Sequence, residues 1–115
     1  MKNDFVFIEH VLDSINAIKE FSRDISKEEL ISNRLKQSAL IREIEIIGEA
    51  VRNISEDLKR KNKEIGWKDI VGARDKMIHH YFSIDMNIIW KIVKNDIPIL
   101  EKQMQVIKKK LMKNK

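Results

Sequence analysis

Apolar residues recur at steps of three and four along most of this chain, and that period commits it to helices packed on one another. Phe5, Ile8, Leu12, Ile15 and Ile18 form one such stripe. It reads as one amphipathic helix, expected from about Asp4 to Phe21. Ser26 and Glu29 stand at capping-box spacing and mark a new helical turn. Asn33 offers another cap before a long helix expected to reach about Lys61, with a seam of Leu40, Ile44, Ile47, Val51, Ile54 and Leu58. An alternating four-three seam lies along neighbouring helices at a shallow angle. Gly48 sits inside it at a cost of about 1 kcal/mol against Ala. Close approach of another backbone would justify that cost.

A break is expected at Asn62 to Gly66, then a third helix from Trp67 to about His80. Ser83 or Asp85 is placed to cap a fourth, whose stripe is Ile89, Val93, Ile97, Leu100, Met104, Ile107 and Leu111. Pro98 falls inside that stripe, where it should remove one backbone hydrogen bond and bend the helix locally. With only three Gly and one Pro in 115 residues, turn-rich all-β folds are excluded. No Gly-rich loop exists to cradle a phosphate either. The expected architecture is all-α, an antiparallel four- or five-helix up-and-down bundle. A single domain is expected over residues 1–107, followed by a basic tail over 108–115.

Charge is distributed unevenly. Residues 1–58 carry 8 Lys/Arg and 12 Asp/Glu, a net of −4, whereas residues 59–115 carry 15 and 6, a net of +9. One-sided basic charge points to a polyanion, nucleic acid first, although a solvated lysine-rich surface would look the same. Aromatic residues are only 6% of the chain, too few for a row of stacking platforms along a single strand. Cysteine is absent, which excludes disulfides, Cys-based zinc sites and thiol nucleophiles and fits a reducing, cytoplasmic setting. No apolar run approaches the ~18 residues of a membrane span. The apolar stretch at the N-terminus breaks at Glu9, too soon for a signal peptide.

A second stripe on the long helix, Arg42, Glu45, Glu49, Arg52 and Glu56, is polar. It reads either as a solvent-facing ladder of ion pairs, each worth a few tenths of a kcal/mol, or as the lining of a cleft or subunit interface. Ala39, Ile46 and Ala50 at its edges keep the second reading open.

One segment concentrates groups able to act on a phosphate ester: Arg74-Asp75-Lys76-Met77-Ile78-His79-His80-Tyr81. On a continuous helix, at roughly 100° per residue, Arg74, Ile78 and Tyr81 would share a face, and Asp75 and His79 the next. Asp75 would then accept from one ring nitrogen of His79, fix its tautomer and leave the other nitrogen for substrate. His80 would stack over Lys76 and point elsewhere. The same residues also read as helix-end packing and capping. A metal on Asp75 and His79 would lack a third local ligand, so no metal and no cofactor are expected.

Arg74, four residues, His79, one residue, Tyr81 resembles the Arg-x4-His-x-Tyr signature of the HepT-like toxins, small helical proteins of the HEPN superfamily. Residues 41–50 resemble that family's long-helix segment, residues 64–75 its approach to the signature, and residues 81–85 and 90–98 its last helix. Gly66 stands where the family usually has Pro, and His80 where it often has Gly. The resemblance implies a homodimeric, HEPN-like bundle with two signature segments meeting in a cleft on the two-fold axis. It implies a metal-independent ribonuclease toxin, with Arg74 and His79 catalytic and Asp75 and His80 secondary. It further implies a nucleotidyltransferase antitoxin of the MNT type as partner, which adds AMP to Tyr81. Two other readings have sequence discriminators. A non-catalytic partner subunit of a nucleotidyltransferase would not need Arg74, His79 and Tyr81 intact. A histidine phosphotransfer bundle would place a Lys and a small residue after its His, where Phe82 and Ser83 stand.

Overall fold

The computed structural model describes residues 3–79 and 83–113 and, at 78, 79, 83 and 84, the backbone alone. Helix α1 spans Asp4–Phe21 and opens at Asn3, whose side chain accepts from the Val6 N–H. Its inner face buries Ile8, Val11, Ile15 and Ile18, each contributing about 1.5–3 kcal/mol when withdrawn from water. Ser26 accepts from the Glu29 N–H at 3.1 Å and starts α2, Lys27–Ser32. Asn33 accepts from the Lys36 N–H at 3.0 Å and starts α3, Arg34–Arg52. The Ser26 and Asn33 caps stand at the positions where the sequence offers them.

Three long helices make the core. Asp4, at the start of α1, bonds Ser55 just beyond α3, while Lys36 near the start of α3 donates to the Phe21 carbonyl. Helices α1 and α3 are therefore antiparallel. Glu9 meets Lys108, and Lys19 meets Glu101, which sets α1 antiparallel to the last helix as well. Leu40, Ile44, Ile47 and Val51 from α3 close the core with Leu100, Met104 and Ile107 from the last helix. The all-α architecture expected from the periodicity is the one found.

The long second helix ends earlier than its seam implies. Helix α3 stops at Arg52, and α4, Glu56–Lys61, begins anew at Ser55. In a continuous helix the Ser55 N–H would bond to Val51. Instead Asp4 accepts it at 2.8 Å, and the Asn53 amide folds back onto the Glu49 carbonyl at 2.9 Å. Side chains that compete for backbone groups in this way end helices. Ile54 is still buried, so the apolar rhythm runs unbroken through a backbone turn.

The expected helix from Trp67 to His80 is also divided. Helix α5 covers Trp67–Val71 and α6 covers Ala73–Met77, separated at Gly72, whose N–H returns to the Lys68 carbonyl at 2.9 Å. At Ile78–His79 and again at Ser83–Ile84 the backbone is extended. Strand β1, Ile78–His79, pairs antiparallel with β2, Ser83–Ile84, with Ile78 opposite Ile84 and His79 opposite Ser83. The Asp85 N–H closes this ladder on the Met77 carbonyl at 2.8 Å. The β-branched Ile78 and Ile84, opposite one another, favour that state, and the ladder occupies backbone groups that a helix would otherwise pair.

Asp85, not Ser83, caps α7, Met86–Lys91, accepting from the Asn87 and Ile88 N–H groups. A π-helical turn, Ile92–Asp96, then leads into α8, Ile97–Lys113. Pro98 has no N–H to give the Lys94 carbonyl, and its ring would press on it. The wider turn, in which the Ile97 N–H reaches back to Ile92, is the form the expected disturbance takes. Residues 108–113 continue α8, with Lys108 paired to Glu9 and Leu111 packed against the core. Among the described residues, no helix is long and apolar enough to cross a membrane.

Candidate active site

Helix α6 carries Arg74 and Asp75 of the signature segment, and they face different surroundings. Arg74 reaches α3, where its Nε donates to Glu45 Oε2 at 2.5 Å. The pair is open to water, with side chains 56% and 39% exposed. Screening at that exposure leaves it worth less than about 1 kcal/mol in stability. Among the described residues Glu45 is the only polar partner of Arg74. An arginine has five N–H donors, so engagement through Nε leaves the terminal Nη1 and Nη2 edge to grip an incoming anion.

Asp75 lies on the other side, at the rim of a cleft of about 970 Å³ between α3, α5–α6 and α7–α8. Ile44, Ile47, Ile92 and Leu100 form its apolar floor. Glu64, Asp69, Asp75 and Asp96 stand around it against Lys76 and Lys91, and Lys76 is already paired to Asp69 at 3.2 Å. A rim with more carboxylates than lysines repels a phosphate backbone. Among the described residues, the Arg74 side of α6 presents a half-exposed guanidinium where the cleft rim presents mostly carboxylates.

The helical reading of the signature segment is corrected by the end of α6 at Met77. His79 lies in β1, so Asp75 and His79 are not one turn apart on a helix, nor do Arg74 and Ile78 share a helical face. The turn-to-turn stacking of His80 over Lys76 loses its basis for the same reason. His80 and Tyr81 themselves lie outside the described residues. Among the described residues, no group of three or more His, Asp or Glu is placed to hold a metal ion.

The polar stripe of α3 is in part the surface ladder of ion pairs expected, and none of its residues lines the cleft described above. Glu49 pairs with Arg52 on the surface at 3.2 Å, and Glu56 belongs to α4, where it meets Lys59. Glu45 instead leaves the stripe to hold Arg74, 29 residues away in sequence. Local spacing cannot reveal a contact of that range. The signal available was the apolar edging by Ala39, Ile46 and Ala50, which marks this face as lying against something.

Comparison with known proteins defines the class. The model of the family described as ribonuclease HepT-like matches residues 11–107. A probable ribonuclease HepT of Thermococcus cleftensis is 42% identical over 103 residues, covering 90% of this chain and 94% of its own. A provisionally named RNase of Methanocaldococcus jannaschii is 43% identical over 101 residues, 88% of this chain and 93% of its own. Another from Caldanaerobacter subterraneus subsp. tengcongensis is 38% identical over 110 residues, 96% and 98%. No solved structure matches the chain significantly. This chain belongs to the HepT-like ribonuclease family.

Proposed function

We propose that the chain is a metal-independent endoribonuclease and the toxin of a toxin–antitoxin pair. The observation that carries this reading is the half-exposed Arg74 guanidinium, oriented by Glu45 at the head of the signature segment, in a chain of the HepT-like ribonuclease family. RNA supplies its own nucleophile. His79 takes the proton from the 2′-OH, for which an imidazole near neutral pKa is suited. The 2′-oxygen attacks the adjacent phosphorus, and the P–O5′ bond breaks. Arg74 binds the charged equatorial oxygens through its terminal nitrogens. The departing 5′-oxygen is protonated by an acid, which a second copy of the chain supplies across a two-fold axis. The products are a 2′,3′-cyclic phosphate and a 5′-hydroxyl.

The antitoxin in this reading is a nucleotidyltransferase that transfers AMP from ATP to the hydroxyl of Tyr81, releasing pyrophosphate. Negative charge and bulk two residues from His79 would bar RNA from the site. RNA and an ATP-dependent partner are both met in the cytoplasm, where we expect the chain to act. Cleavage of RNA by the purified protein in excess EDTA, with cyclic phosphate ends, tests the proposal. A substrate with a 2′-deoxy residue at the cut site should resist. Cleavage abolished by EDTA, or persisting without the 2′-hydroxyl, would refute it.

A further inference from the structure

We infer that Glu45 is the positioning residue for Arg74, aiming its guanidinium from a helix outside the signature segment; the inference rests on the ribonuclease reading above. Arg74 stands on α6, a helix of only five residues that gives way to an extended strand after Met77. Its own backbone is a poor anchor for a side chain with so many rotatable bonds. Glu45 stands on α3, a helix of 19 residues, between Ile44 and Ile47, both buried in the core. The long helix therefore provides the fixed point. Donation of Nε to Glu45 restrains the plane of the guanidinium and does not use its Nη1 and Nη2 edge. A clamp fixed before the substrate arrives loses less freedom in the transition state. Both side chains are substantially exposed, so the contact does little for the core, and its effect on catalysis can be separated from any effect on folding.

The test is a double-mutant cycle on RNA cleavage by the full chain. Glu45→Ala should lower kcat by about tenfold or more with little change in KM, the pattern of a contact that matters in the transition state. Glu45→Gln keeps an acceptor for Nε and should retain most of the wild-type kcat. In an Arg74→Ala background, Glu45→Ala should cause no further loss, because a residue acting through Arg74 has nothing left to position. Thermal midpoints should stay within about 2 °C of wild type, as for other exposed substitutions. In NMR spectra of the nitrogen-labelled chain, the Arg74 Nε–H signal should be protected from exchange in wild type and Glu45→Gln but not in Glu45→Ala. Additive losses in the cycle, a wild-type kcat in Glu45→Ala, or an unchanged Arg74 signal would overturn the inference while leaving the ribonuclease reading standing. A wild-type chain that cuts no RNA would overturn both.

Discussion

Asp4 and Ser55 share two hydrogen bonds across 51 residues: Oδ1 accepts from the Ser55 N–H at 2.8 Å and Oδ2 from its hydroxyl at 2.7 Å. The Ser55 hydroxyl in turn accepts from the Leu58 N–H at 3.2 Å. One carboxylate at the head of α1 thus decides where α3 ends and orients the cap of α4. Hydrogen bonds to a charged group contribute about 1.5–3 kcal/mol each when shielded from water, and this site is only partly buried. Asp4→Ala should destabilise the chain by roughly 2 kcal/mol. Ser55→Ala should cost about 1 kcal/mol as a lost cap. Urea denaturation of the double variant should show less than the sum of the two, because the residues act as one unit. Full additivity would mean that the contact carries no energy of its own.

Gly48 tests how closely α3 and α5 pack. A methyl built there meets the Ile70 and Val71 carbonyl oxygens at 3.5 Å, an ordinary contact. The close backbone approach expected from the sequence is present, but it leaves room for one carbon. Gly48→Ala should therefore stabilise the chain by up to about 1 kcal/mol through helix propensity, visible as a rise of a few degrees in Tm. Gly48→Leu must push atoms onto the α5 carbonyls and should cost about 1–3 kcal/mol. A fall in Tm for Gly48→Ala would show that α5 lies closer than the contacts indicate.

What the sequence made legible follows from the range of the interactions involved. Helix α1, its cap-to-end extent and the caps at Ser26 and Asn33 rest on contacts within four residues, which spacing reveals. The end of α3 depends on Asp4, 51 residues from Ser55. Because Ile54 points inward through the turn, the apolar rhythm conceals the break. The strand at Ile78–His79 depends on pairing with Ser83–Ile84. Helical arithmetic extended past Met77 therefore misplaced His79 relative to Asp75. At the candidate site, the signature draws attention to Arg74 and His79 in sequence, whereas the grip of Glu45 on Arg74 exists only once α6 packs against α3.

The proposed assembly and partner are open to direct measurement. Solution scattering at micromolar concentration should give about twice the 13.6 kDa chain mass, as a two-fold active site requires. Incubation with a cognate nucleotidyltransferase and ATP should add AMP to the peptide containing Tyr81 and abolish RNA cleavage. A monomeric mass would count against the shared site. Modification confined to other residues would sink the Tyr81 assignment.

The chemistry itself is tested by the order of three substitutions. His79→Ala removes the proposed base and should lower cleavage by at least the ~10²-fold typical of an acid–base group. Arg74→Lys keeps the charge but loses the planar fork. An ammonium cannot both donate to Glu45 and present two parallel donors to phosphate, so this variant should also be strongly impaired. His80→Ala should be milder, because the spacing of the signature selects His79. Cleavage rates on one RNA substrate, with thermal midpoints measured alongside, decide the order. Losses at His80 equal to those at His79 would mean that the working base had been misassigned. An Arg74→Lys variant close to wild type would show that the site needs only a point charge. The fork geometry that Glu45 is proposed to maintain would then be irrelevant to the reaction.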